Sequence, residues 1–210
     1  MSTYLLGWSV HNFKRANSSS TSSIGHSISL WTHPIENSTF QQLTSEAVCL
    51  LEAPKIYSVL EKWTNVSSPI AKYELFAVPD FKFNAMENWG FITFRESVPL
   101  IWNKSTTLSK ISTATFVLGH EIAHTWFGNL VTPEFWNFAW LKEGFATYFS
   151  YLAMDTVYPD RRVMDTFLVK VLQESMTLDS VDHERSMNAQ GVGKPSDIAS
   201  VLDFVTYDKG

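Results

Sequence analysis

The chain has 210 residues, 45% of them hydrophobic and 14% aromatic, which is ample for a packed core and excludes a disordered polymer. Its net charge of −5 and isoelectric point near 5.6 give no basic footprint for nucleic acid. No apolar run reaches the length of a membrane span, and residues 1–8 (MSTYLLGW) lack the basic start and small-residue cleavage site of a secretory leader. The single cysteine, Cys49, rules out an internal disulfide and by itself leans towards a reducing compartment or carries no information. Against it stand four sequons, at Asn17, Asn37, Asn65 and Asn103, where a chain this rich in Ser and Thr carries about two by chance.

The length suits one large domain or parts of two. Residues 3–10 (TYLLGWSV) read as a strand, followed by a polar serine-rich loop over 17–23. A second strand at 28–31 leads into the turn His33-Pro34. From 39 to 62, Leu43, Val48, Leu51, Ile56 and Leu60 recur at helical intervals, and Pro54 divides the stretch into two helical pieces. Cys49 falls here as a small core residue. Residues 73–78 (YELFAV) form a strand, a loop carries residues 84–88 (NAMEN), and 90–94 (GFITF) form the next strand.

Strand then gives way to helix. The pattern predicts one helix over 112–129, capped by Ser112 or Thr113, and a second over 137–153. A third starts near Pro159-Asp160, with Val163, Phe167, Leu168, Val171 and Leu172 on its apolar face. Residues 178–197 are polar, with two glycines and a proline, and read as loop. A sheet edge followed by a helical lobe gives an α+β domain. His11, His26 and His33 read as surface or loop histidines, since none has a partner at metal spacing.

His120-Glu121-Ile122-Ala123-His124 carries the chemistry. Residues four apart lie on one helix face, so His120 and His124 can bind one Zn²⁺. Glu121, about 100° round the helix, can reach a water activated by that metal. The flanking Phe116, Val117, Leu118, Ile122, Trp126 and Phe127 are apolar on nearly every side, which buries the helix. Buried imidazoles and a carboxylate need a strong partner, and a metal provides one. Glu143, at the start of the next helix, supplies a third ligand and completes a His₂Glu set with one open position.

Three motifs, HEIAHTWFGNLVT at 120–132, WLKEGFA at 140–146 and NAMENWG at 84–90, resemble the aminopeptidase N-like family of zinc metallopeptidases, the gluzincin aminopeptidases. The hallmarks of that family are a GAMEN exopeptidase motif and HExxH-x18-E, and the likeness covers nearly the whole chain. The resemblance implies one zinc per chain held by His120, His124 and Glu143, with Glu121 as general base. It also implies Tyr207, in VTYDKG, as the oxyanion donor, and Glu87 as the anchor for a substrate's free α-amine. Asn84, Ala85, Met86 and Asn88 would then line the substrate site.

On the same resemblance, residues 1–34 are the last strands of an N-terminal β domain. Residues 35–210 would be the thermolysin-like α+β catalytic domain, truncated at its C-terminal end, so metal binding without efficient turnover is expected of these 210 residues alone. The partners implied are peptides with a free N-terminus, and the parent protein implied is extracellular or anchored at the cell surface. Three positions depart from the family pattern: Asn84 replaces Gly, Phe138 replaces Asp, and Lys142 replaces Asn, putting a positive charge beside Glu143. A catalytically weak homologue serving as a binding or adhesion surface is the alternative. The complete set Glu87, His120, Glu121, His124, Glu143 and Tyr207 favours the enzyme.

Overall fold

A computed structural model describes residues 2–17, 25–34, 47–98, 106–181 and 185–210. The expected serine-rich loop at 18–23, the helical turns at 39–46 and the sequons at Asn37 and Asn103 lie outside the described residues.

Five strands form one sheet in the order β1-β2-β3-β5-β4. They are β1 (Lys14–Asn17), β2 (Ser27–Thr32), β3 (Lys72–Val78), β4 (Ala85–Met86) and β5 (Phe91–Arg95). β2, β3 and β5 run parallel, while β1 and β4 lie antiparallel at the two edges. β3 sits at the centre and is buried from Tyr73 to Ala77 on both faces, as a covered parallel strand must be. Strands from residues 1–34 and from the rest of the chain therefore share one ladder, with Ser27–Trp31 in register with Lys72–Phe76.

The strand expected at 3–10 does not form. Thr3–Leu5 is a single 3-10 turn, and residues 6–13 have no regular structure. Leu6, Trp8 and Val10 are all exposed. Leu5 is buried instead, and its carbonyl accepts from the Trp89 N–H at 2.8 Å, which ties the turn to the 84–90 loop. A strand needs a neighbour to pair with and a face to bury, and among the described residues this stretch pairs with none.

Helix α1 (Val48–Thr64) packs across β2 and runs unbroken through Pro54, where two pieces were expected. Its buried stripe, Cys49, Leu50, Ala53, Ile56, Tyr57 and Leu60, holds it against the sheet, and that packing outweighs the hydrogen bond proline removes. Cys49 is fully buried, and burial pushes its thiol up to about 12. His26 also departs from expectation. It lies in the loop before β2 but is buried, its Nε2 2.9 Å from Glu61 Oε1, which accepts from the Ser68 N–H at 2.8 Å. His11 and His33 are exposed.

Helices α2 (Leu108–Ala123) and α3 (Trp140–Val157) pack on each other and on α1. α2 starts four residues earlier than expected because Thr107 caps it, its side chain accepting from the Lys110 N–H at 3.4 Å. Beyond α3 come a 3-10 turn at Pro159–Arg161, α4 (Val163–Phe167), a wide π-type stretch (Leu168–Leu172) and α5 (Gln173–Asp179). Val163 and Val171 are buried, but Leu168 and Leu172 are exposed. The π-type turns advance less per residue than an α-helix and rotate the expected apolar face out of register. Within the expected 178–197 loop, α6 (Pro195–Val201) begins with proline at its first position and Asp197 accepting from the Lys194 N–H at 2.9 Å. Among the described residues no helix is long and apolar enough to cross a membrane.

The capping assignment predicts that Thr107→Ala lowers stability by about 0.5–2 kcal/mol in urea denaturation, while Ser112→Ala and Thr113→Ala stay within about 0.5 kcal/mol of the parent.

Candidate metal centre and cleft

Two helices build the centre. α2 carries His120 and Glu121 in its last turn, with His124 as the residue closing it, and Glu143 lies in the first turn of α3. The helices touch at Gly119, where an added Cβ would stand 3.3 Å from Ser150 Cβ, so the glycine lets the next residue approach Glu143. His120 Nε2 and His124 Nε2 are each 3.1 Å from Glu143 Oε2 and 3.0 Å from one another. All three side chains are buried.

α2 ends at Ala123 rather than at 129. The chain then turns in wide loops, the N–H groups of Asn129, Leu130 and Val131 donating to His124, Thr125 and Trp126 carbonyls. This turn places the Phe127 carbonyl 2.9 Å from His124 Nδ1, where it accepts the Nδ1 proton, so that Nε2 is the nitrogen the neutral ring offers to a cation in the cluster. Gly128 makes it possible: its φ is +141°, and a Cβ there would meet His124 Nδ1 at 2.9 Å. On the other ring, His120 Nδ1 faces Thr147 Oγ1 at 3.4 Å.

The cluster fits a metal ion. Two imidazole nitrogens at 3.0 Å can share only one proton, whereas a cation among the three atoms satisfies them all. Zinc bonds of about 2.0–2.1 Å at tetrahedral angles separate ligand atoms by about 3.3 Å, close to the spacing here. The charges agree. Burial opposes a proton on His124, but the Glu87 and Glu143 carboxylates outweigh it and raise the imidazole to about 9. Burial likewise opposes ionised Glu143, but Lys142 and His124 hold it well below the ordinary carboxylate range. The middle of the cluster is a place for positive charge.

The centre opens on a cleft of about 620 Å³ lined by Asn84, Ala85, Met86, Glu87, Glu121, Lys142 and Tyr207 along with the three ligands. Glu121 is buried with Oε2 unpartnered, and burial raises its carboxyl well above the ordinary value. The Tyr207 ring lies 5.7 Å from that of His120, and burial raises its hydroxyl too. Asn84 is exposed, and no left-handed backbone is required of it. Asn88 does not line the cleft: its Nδ2 donates to the Tyr4 carbonyl at 2.9 Å, and its Oδ1 accepts from Thr93 Oγ1 at 3.3 Å. Phe138 is half-buried in the 3-10 turn Trp136–Phe138 ahead of α3.

Glu87 is buried at the far wall. Its backbone carbonyl accepts from Asn129 Nδ2 at 2.8 Å, and its Oε1 accepts from Tyr4 Oη at 2.7 Å and Lys142 Nζ at 2.5 Å. Burial opposes its charge, but Lys142 and His124 prevail and hold it at about 2. Lys142 also donates to Glu143 Oε1 at 2.9 Å, leaving Oε2 to the histidines. Tyr4 and Trp136 were not legible as site residues, since nothing in the sequence links an N-terminal turn to a helix more than 130 residues away.

A buried His–His–Glu cluster on two packed helices, opening on a cleft with a further carboxyl, could hold a metal ion. Residues 50–210 match the family model described as "Peptidase family M1 domain", and the chain belongs to that family. It is 37% identical over its whole length to aminopeptidase N of Mus musculus, 38% to endoplasmic reticulum aminopeptidase 2 of Homo sapiens, and 35% to endoplasmic reticulum aminopeptidase 1 of Mus musculus. The chain spans about a fifth of the length of these relatives, 21%, 21% and 22% respectively.

Loaded with zinc and desalted, the folded protein is expected to retain about one Zn per chain by elemental analysis, and His124→Ala to lose most of it. Equal content in the variant would remove the assignment. Gly128→Ala, which crowds the His124 ring, is expected to weaken zinc about 10- to 100-fold in a chelator competition.

Proposed function

We propose that this chain carries the catalytic centre of a zinc-dependent aminopeptidase, which removes N-terminal residues from peptides. The observation that carries the reading is the convergence of His120 Nε2, His124 Nε2 and Glu143 Oε2 at 3.0–3.1 Å beside a cleft that also holds Glu121. Zinc bound there supplies a Lewis acid that polarises a peptide carbonyl and acidifies a water.

The remaining work falls to side chains. Glu121, whose buried carboxyl has an unpartnered oxygen and a raised proton affinity, takes a proton from the attacking water and delivers it to the departing amine nitrogen. Tyr207 keeps its proton at neutral pH and donates a hydrogen bond to the oxyanion of the tetrahedral intermediate. Glu87 presents a carboxylate to the α-ammonium of the substrate and fixes the first peptide bond over the centre. Asn84, Ala85 and Met86 line the cleft beside it. An extracellular or cell-surface address for the whole protein is supported by the sequon at Asn65, which is exposed at the end of α1.

In a zinc-loaded protein assayed on an aminoacyl chromogenic amide, Glu121→Gln is expected to keep its zinc and lose turnover by about 10²–10⁴-fold relative to the parent. Turnover retained in the variant would mean that a different base does the chemistry.

A further inference from the structure

Lys142 is an unusual residue to find where it is. It is the third residue of α3, in the first turn of a helix, where the backbone dipole disfavours a cation. It is also buried, which is costly for an ammonium unless that ammonium is surrounded by compensating groups. Here it is. Nζ reaches Glu87 Oε1 at 2.5 Å and Glu143 Oε1 at 2.9 Å, and stands 4.9 Å from the Tyr4 ring centroid and 5.4 Å from that of Trp136. Two carboxylates and two aromatic faces make a box for one ammonium group.

A peptide's α-ammonium has the same chemistry as the group already in that box. We propose that Lys142 is a specificity-determining residue that fills the amine anchor with its own ammonium, so that a substrate's N-terminal amine must displace it to reach Glu87. This rests on the reading of Glu87 as the amine anchor. Two ammonium groups cannot share the box, since like charges at contact repel strongly in a buried site. Being tethered, Lys142 also competes at the millimolar or higher effective concentration of an intramolecular group. Free-amine ligands therefore bind weakly, and ligands without an α-ammonium lose nothing to the lysine.

The test is calorimetric binding of two probes to the zinc-loaded chain: L-leucinamide, which carries the α-ammonium, and N-acetyl-L-leucinamide, which does not. Lys142→Gln is expected to tighten leucinamide binding by about tenfold or more, the worth of one charge-assisted hydrogen bond, and to leave the acetylated probe unchanged. Glu87→Gln in the Lys142→Gln background is expected to abolish the gain. Lys142→Met, which keeps the bulk of the stem, carries the same expectation and serves if the glutamine variant does not fold. Leucinamide binding that is unchanged or weaker without Lys142 would overturn the proposal, as would an equal gain for the acetylated probe. Zinc content of the same samples and the Glu121→Gln assay report separately on the metallopeptidase reading.

Discussion

The structure turns on an electrostatic debt. Six ionisable side chains, Glu87, His120, Glu121, His124, Lys142 and Glu143, are buried together at the meeting of α2, α3 and the sheet edge. Each would be expensive alone. They are tolerated because Glu143 divides its two oxygens, Oε2 to the histidines and Oε1 to Lys142, and Lys142 in turn holds Glu87. One helix turn thus joins the His–His–Glu corner to the wall that carries Glu87, and neither part is independent of the other.

Small residues and irregular turns set that geometry. Gly119 lets α2 lie close to Ser150 on α3, and Gly128 takes a backbone conformation that brings the Phe127 carbonyl to the His124 ring. The 3-10 turn at Thr3–Leu5 does a similar job from the opposite side. Through the Leu5 and Tyr4 carbonyls it anchors the loop that carries Glu87, and through Tyr4 Oη it touches Glu87 itself. Regular elements provide the frame, and these departures from regularity aim the side chains.

What was legible in the sequence was what periodicity and spacing encode. Strands at 28–31, 73–78 and 90–94 and the helix around 143 were found within a few residues of their predicted limits, whereas the helix around 120 begins four residues early and ends six residues short. The i, i+4 histidines and Glu143 converge as the spacing required. What failed was context. Residues 3–10 read as a strand, but among the described residues no partner strand lies alongside. Pro54 looked like a break, but the surrounding apolar stripe was strong enough to keep one helix. His26 read as a surface or loop histidine because its hydrogen-bond partner, Glu61, lies 35 residues on. Lys142 was visible as an odd charge beside Glu143, but its bond to Glu87 joins residues 55 apart, and only the fold makes that pair.

The position of Cys49 settles how the chain responds to thiol reagents. A thiol enters disulfide exchange, or is oxidised to a sulfenic acid, through its thiolate and through contact with the reagent. Cys49 offers neither, being fully enclosed by α1 and the core and needing a pH near 12 to ionise. Thiol reagents that leave the protein folded should find nothing to modify. The chain thus has no internal bridge to lose under reduction and no accessible thiol to capture under oxidation.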